Sequence, residues 1–257
     1  MSSLAVNSPP LSLLSTDPSM SKKLIIYSVL TRLWGNPSTK RVPHGTLTEN
    51  GAGKLSAFTP EALQYIRSLG ATHVWFIGLL EHATRTDYSA YGITPDHPDT
   101  VKGQAGSPYA VKDYYDIDPD LADDPLRRQE ELDALIHRTH EAGLQVVMDF
   151  IPNHVARAYH SDACPEGTVD LGATDDSSQA FSPRNNFYYL PDSTLILPLS
   201  TSSSPYEEHP ARATGNDCFS PRPTICDWYE TVKLNYGVDY CGDGALHADP
   251  LPDTWVK

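Results

Sequence analysis

Basic charge is scarce in this chain. Nineteen lysines and arginines stand against 33 aspartates and glutamates, for a formal charge of −14, which argues against non-specific binding to nucleic acid or to an anionic membrane. Long apolar runs are also missing, and none approaches the ~20 residues that cross a bilayer. Cys164, Cys218, Cys226 and Cys241 include no C-x-x-C pair, so nothing in their spacing points to a metal framework, and they read as buried free thiols in preference to two disulfides. No glycine-rich phosphate loop follows an apolar run, which argues against a phosphate- or dinucleotide-binding α/β domain. No internal repeat is present. The first residues, MSSLAVNSPPLSLLSTDPSM, carry no basic residue before their Leu-Ser-Leu-Leu patch and match a secretory signal poorly; residues 1–22 read as a disordered leader, and a cytoplasmic location is favoured.

What is present is a soluble globular composition, 39% hydrophobic, with 22 prolines that fall mostly outside the periodic segments. Leu144-Gln145-Val146-Val147-Met148-Asp149-Phe150-Ile151-Pro152-Asn153-His154 organises the rest. It begins as an apolar run suited to a strand buried on both faces and ends in a carboxylate, a proline, an amide and an imidazole. Before it, Lys23 to Leu30 reads as a strand and Thr31 to Lys54 as a loop. Thr59, Pro60 and Glu61 form a helix start, and Leu63, Ile66 and Leu69 recur at helical spacing up to Gly70. Thr72 to Ile77 is a second strand, and this β, α, β order predicts parallel pairing with a right-handed crossover. Residues 78–124 show no period and read as a long, tyrosine-bearing functional loop. Pro125 to Ala142 is helical, with Leu132, Leu135 and Ile136 as its stripe, and the organising strand follows Gly143. Its polar tip then lies at the carboxyl end of a parallel strand, where α/β folds place their sites. Beyond it, Phe187 to Leu190 and Thr194 to Leu197 are candidate short strands about a turn at Pro191-Asp192, and Ser200 to Pro210 is a solvated loop. Tyr229 to Tyr236 fits helix or strand equally.

Asp149-Phe150-Ile151-Pro152-Asn153-His154 resembles the first signature region of the α-amylase family, glycoside hydrolase family 13: aspartate, three residues, asparagine, histidine. Gly70 to Ile77 is similar to that family's second strand. Ser107-Pro108-Tyr109 through Asp113-Tyr114-Tyr115-Asp116-Ile117-Asp118-Pro119 looks like its loop from the active-site tyrosine into D-Y-x-x-I-D-P, and Leu251-Pro252-Asp253 resembles the motif closing its inserted domain. The resemblance implies an α/β fold: a partial (β/α)8 TIM barrel, its first three strands and two helices, with an irregular inserted subdomain after strand 3. The boundaries that follow are 23–154 for the barrel portion, 155–250 for the insert and 251–257 for the start of the third barrel helix.

The same resemblance implies site residues. A glucosyl ring needs an apolar face to lie on and directional hydrogen bonds to its hydroxyls. Tyr109 matches the tyrosine that stacks on that ring, His154 the histidine that bonds its primary hydroxyl, and Asp149 a carboxylate that orients neighbours. A lone tyrosine is more often core than platform; the surrounding motif reverses that preference. Asn153 and Asp253 match positions that ligate a structural calcium, whose hard character suits amide and carboxylate oxygens. The implied partner is an α-glucan, starch or maltodextrin, cleaved with retention by two carboxyl groups. The family's Gly-x-Arg-x-Asp nucleophile motif and His-Asp pair do not occur here, so the chain is expected to be the N-terminal part of a catalytic domain, inactive and marginally stable alone, with an exposed sheet edge. The alternative is a non-catalytic α-glucan-binding or interaction protein that keeps half of the cleft.

Overall fold

A computed structural model of the chain describes residues 23–200 and 202–256; the leader expected over 1–22 and the final lysine lie outside the described residues. Strand β1 (Ile26–Leu30), helix α1 (Leu47–Asn50), helix α2 (Pro60–Ser68) and strand β2 (His73–Ile77) come first. The hairpin strands β3 (Leu80–His82) and β4 (Val111–Ile117), helix α3 (Arg128–Glu141) and strand β5 (Gln145–Met148) follow. Short pieces complete the chain: β6 (His154–Ala156), β7 (Tyr189–Leu190), β8 (Ala211–Arg212), β9 (Thr231–Lys233) and helix α4 (Asp253–Val256).

The central sheet has the order β1-β2-β5, parallel throughout, with Tyr27 opposite Val74 and Val74 opposite Val146. The helix signals act as expected. Thr59 Oγ1 accepts the Ala62 N–H at 3.2 Å, Pro60 opens α2, and Leu63 and Ile66 face the sheet. Leu69 instead caps the helix end and is exposed, because the chain turns at Gly70 before another helical turn can bury it. Leu132 and Leu135 of α3 join Phe58, Val74, Phe76 and Leu144 in one core, with Ile136 packed on its margin. Phe58 stacks on Trp34 at 5.1 Å and meets Phe76 edge-on at 4.9 Å; burying each such ring contributes roughly 1.5–3 kcal/mol. Arg138 crosses from α3 to the Leu55 and Phe58 carbonyls at 3.0 and 3.3 Å, clamping the loop before α2.

Several expectations are corrected. β5 is not buried on both faces: it is a sheet edge, with Gln145 and Met148 exposed, and Phe150 beyond it is 75% exposed. At the other edge Leu24, Ile25 and Ile26 are exposed. The loop read over 31–54 contains α1, set by a capping box in which Thr46 and Glu49 bond each other's backbone. The region 78–124 is not structureless, since β3 and β4 pair within it. Its buried positions mix Leu80, Val111 and Ile117 with Glu81, Lys112, Asp113 and Asp116, so no clean apolar period marks it. Tyr189–Leu190 pairs with Ala211–Arg212, and 194–197 forms no strand. Tyr229 to Tyr236 resolves as strand at β9. All four cysteines are free, but Cys226 and Cys241 are exposed where burial was expected.

Candidate functional site

The site grows from the carboxyl ends of β2 and β5. Asp149 follows Met148 directly, and its Oδ1 accepts the Trp75 indole N–H at 2.7 Å while Oδ2 accepts the Gly78 backbone N–H at 2.8 Å. Bonds to a charged acceptor contribute about 1.5–3 kcal/mol each, so this carboxylate ties the two strand ends together. Gly78 is required there: its φ is +74°, and a Cβ would lie 2.8 Å from the Cβ of Pro108. Asp149 thereby fixes Trp75 and Gly78 in place.

His154 opens β6 opposite Lys233 of β9. Its ring is buried, 7% exposed, and Nδ1 sits 3.0 Å from the Asn153 Nδ2, which also donates to the Gly215 carbonyl at 2.7 Å. With Nδ1 receiving an amide N–H, the ring proton belongs on Nε2. Burial chiefly, and the Lys233 charge, push the ring's pKa down, opposed by the neighbouring Tyr109 backbone, and the net shift is downward. The imidazole is thus neutral near pH 7. Gly215 is the floor beneath it, where a Cβ would lie 2.8 Å from His154 Cβ and Cγ.

Tyr109 is 41% exposed, and its phenol is shifted upward by partial burial and by the negative charge of Asp149. With its backbone beside His154 and its ring in the field of Asp149, Tyr109 lies near both of the other two residues singled out from sequence. Trp228 joins them, its ring centroid 5.2 Å from that of His154 at 58°. Trp228, Trp75, Gly215 and Lys233 were not singled out from sequence. Three of them lie in the unperiodic 155–250 text, where nothing but an isolated tryptophan could have pointed to the site.

The metal candidates are less convergent. Asn153 commits its amide nitrogen to Gly215 and His154, leaving its Oδ1 as a hard donor, while Asp253 at the start of α4 accepts Arg184 at 2.9 Å. Among the described residues no hydrogen bond or ion pair joins Asn153 to Asp253. Their oxygens suit calcium in kind, with Arg184 as a rival cation for the carboxylate. Two further groups bring ligand atoms within 4.8 Å of one another: Asp239, Asp243 and His247 on a largely exposed loop, and Glu81, Asp113 and Asp116 in the buried hairpin. The second group is sealed away from any substrate.

A model of the alpha-amylase catalytic domain matches residues 44–189. The chain belongs to this family. Cyclomaltodextrinase of a Bacillus species is 27% identical over 143 residues, which is 55% of this chain and 22% of that protein. Maltase 1 of Drosophila virilis is 25% identical over 163 residues, 62% of this chain and 21% of that protein. Among solved structures, an alpha-amylase from Lactobacillus plantarum shares 23% identity with a TM-score of 0.45, covering 83% of this chain and 32% of its own. The chain spans about a fifth of the length of these two curated relatives, 22% and 21%. The alpha-amylase catalytic domain is a (β/α)8 barrel, and the parallel sheet β1-β2-β5 with α2 and α3 is the part of it seen here.

Proposed function

We propose that this chain supplies the sugar-gripping part of an α-amylase-type glycoside hydrolase acting on α-glucans, with starch or maltodextrin as the substrate class. The observation that carries the reading is the convergence of an exposed Tyr109, a neutral buried His154 beside the Tyr109 backbone, and Asp149. An apolar ring face beside a fixed uncharged imidazole suits a neutral pyranose, and the negative overall charge disfavours an anionic ligand. The names of the relatives, a cyclomaltodextrinase and a maltase, agree with that class.

In this proposal the full reaction is a retaining double displacement, which needs two carboxyl groups about 5–5.5 Å apart. Asp149 has both oxygens committed to Trp75 and Gly78 and orients the cleft instead of attacking. The chain alone therefore binds glucan without cleaving it. Residues 155–250 act as a subdomain inserted after the third barrel strand, a reading supported by β6 pairing with β9, so that the segment leaves and returns at the same point. Residues 251–257 begin the next helix. Asn153 and Asp253 would hold a structural calcium joining the end of β5 to α4.

Isothermal titration with maltoheptaose beside a reducing-sugar assay tests the reading. A dissociation constant at or below about 1 mM with no product is expected. Absence of binding overturns the glucan assignment, and released reducing ends overturn the assignment of Asp149 as a non-reacting carboxylate.

A further inference from the structure

Trp34, Trp75 and Trp255 each donate their indole N–H within the protein, to Ala57 O at 3.2 Å, to Asp149 Oδ1 at 2.7 Å and to Tyr236 O at 3.2 Å. Among the described residues the indole N–H of Trp228 has no acceptor, and the residue is 44% exposed. An exposed aromatic alone means little. What distinguishes Trp228 is how firmly the chain around it is fixed. Its backbone N–H donates to Asn216 Oδ1 at 2.9 Å, and its carbonyl accepts both the Thr231 backbone N–H at 2.9 Å and Thr231 Oγ1 at 2.8 Å.

The preceding Asp227 accepts Asn216 Nδ2 at 3.0 Å, Thr224 N at 2.7 Å and Thr224 Oγ1 at 2.8 Å, and its backbone carbonyl accepts Lys102 Nζ at 2.6 Å. Asp217, in the turn that supplies Asn216, is a non-glycine residue held at φ +65°, and its carboxylate pairs with Lys233. A strained residue locked by an ion pair marks a loop whose conformation the surroundings dictate. The outcome is a ring with a free face, an undonated N–H and almost no backbone freedom, set against the imidazole of the cleft.

We propose that Trp228 is a second platform of the same cleft, taking the apolar face of the hexose unit next to the one at Tyr109 and His154 and donating its indole N–H to a hydroxyl of that unit. The inference rests on the glucan reading given above and extends it: the ligand is a neutral oligosaccharide of at least two hexose units, and Trp228 confers the preference for the longer chain. A stacked aromatic platform adds little to a single sugar and more to an oligomer.

The test uses the full chain, with maltoheptaose and glucose as probes, in the unaltered protein, W228F and W228A. W228A is expected to weaken maltoheptaose binding roughly 2- to 12-fold and glucose binding by less, and W228F to retain most of the oligosaccharide affinity. A second measurement does not depend on how W228A folds: maltoheptaose should shield part of the tryptophan emission of the unaltered chain from acrylamide, and W228F should lack that shielded part. Equal maltoheptaose affinity in all three proteins, or no shielding despite binding, overturns the platform and leaves the glucan reading standing. No maltoheptaose binding by the unaltered chain overturns both.

Discussion

Glu81 gives the sharpest pH prediction. It lies in β3, 2% exposed, with Oε1 3.4 Å from Lys112 Nζ and neither carboxylate oxygen accepting a hydrogen bond. Lys112 also faces Asp96 at 3.7 Å and donates to the Thr94 carbonyl, so a single ammonium serves an acidic hairpin. Its other carboxylates are better supplied: Asp116 is held by Arg128, and Asp113 accepts the Tyr115 and Ala163 backbone N–H groups. Burial above all, opposed by Lys112 and aided by Asp116 and Asp113, pushes the Glu81 pKa up to about 8. The folded chain therefore keeps a proton that the unfolded chain releases above its ordinary value of 4.5. Stability from this group is full below that value and is lost as pH rises towards the folded pKa. Each pH unit in that window costs about 1.4 kcal/mol, or on the order of 3 kcal/mol between about pH 5 and pH 7.5. Glu81→Gln removes the titrating proton and keeps the shape. Urea unfolding followed by circular dichroism at the two pH values should show the E81Q chain losing less stability than the unaltered chain by that amount. Parallel pH dependence in the two proteins would refute the buried-proton argument.

Other outcomes follow from the cleft. Asp149→Asn leaves one acceptor oxygen for two N–H donors and turns an amide towards Trp75 or Gly78, so a loss of about 1–3 kcal/mol is expected in urea unfolding, together with weaker maltoheptaose binding. Gly215→Ala would bring a Cβ to 2.8 Å from the His154 ring carbon and 2.5 Å from Thr231 Oγ1, displacing the imidazole. It should cost about 1–3 kcal/mol by overpacking and reduce titration heats with maltoheptaose. For calcium, a thermal-shift series in calcium chloride should show stabilisation that is larger in Arg184→Ala, where Asp253 is released from its ion pair. A chain whose melting ignores calcium in both forms would remove Asn153 and Asp253 as ligands.

The βαβ core was legible because local signals and burial agree there. Thr59 and Pro60 start α2 where the sequence placed them, and the apolar residues of β2 and α3 face one core. Tyr109, Asp149 and His154 were singled out through family motifs. Periodicity could not see the β3–β4 hairpin, because charged Glu81, Lys112, Asp113 and Asp116 are buried among its apolar Leu80, Val111 and Ile117. Nor could it see the order in the later chain, which comes from single polar side chains bonding distant backbone. Asp175 accepts the Asn186 and Phe187 backbone N–H groups, and the fully buried Arg157 bonds the Tyr229 and Thr231 carbonyls and pairs with Glu208. Such contacts leave no repeating mark in sequence, and Trp228 was hidden among them.

The proposed grip on an α-linked glucan rests on one neutral imidazole and one exposed phenol. Calorimetric titration of maltoheptaose into the full chain, into His154→Ala and into Tyr109→Ala addresses it most directly, with cellohexaose as the β-linked counterpart. The account predicts measurable maltoheptaose affinity in the unaltered chain, clear weakening in both variants and weaker binding of cellohexaose. Undiminished affinity in either variant, or equal affinity for the two sugars, would contradict it.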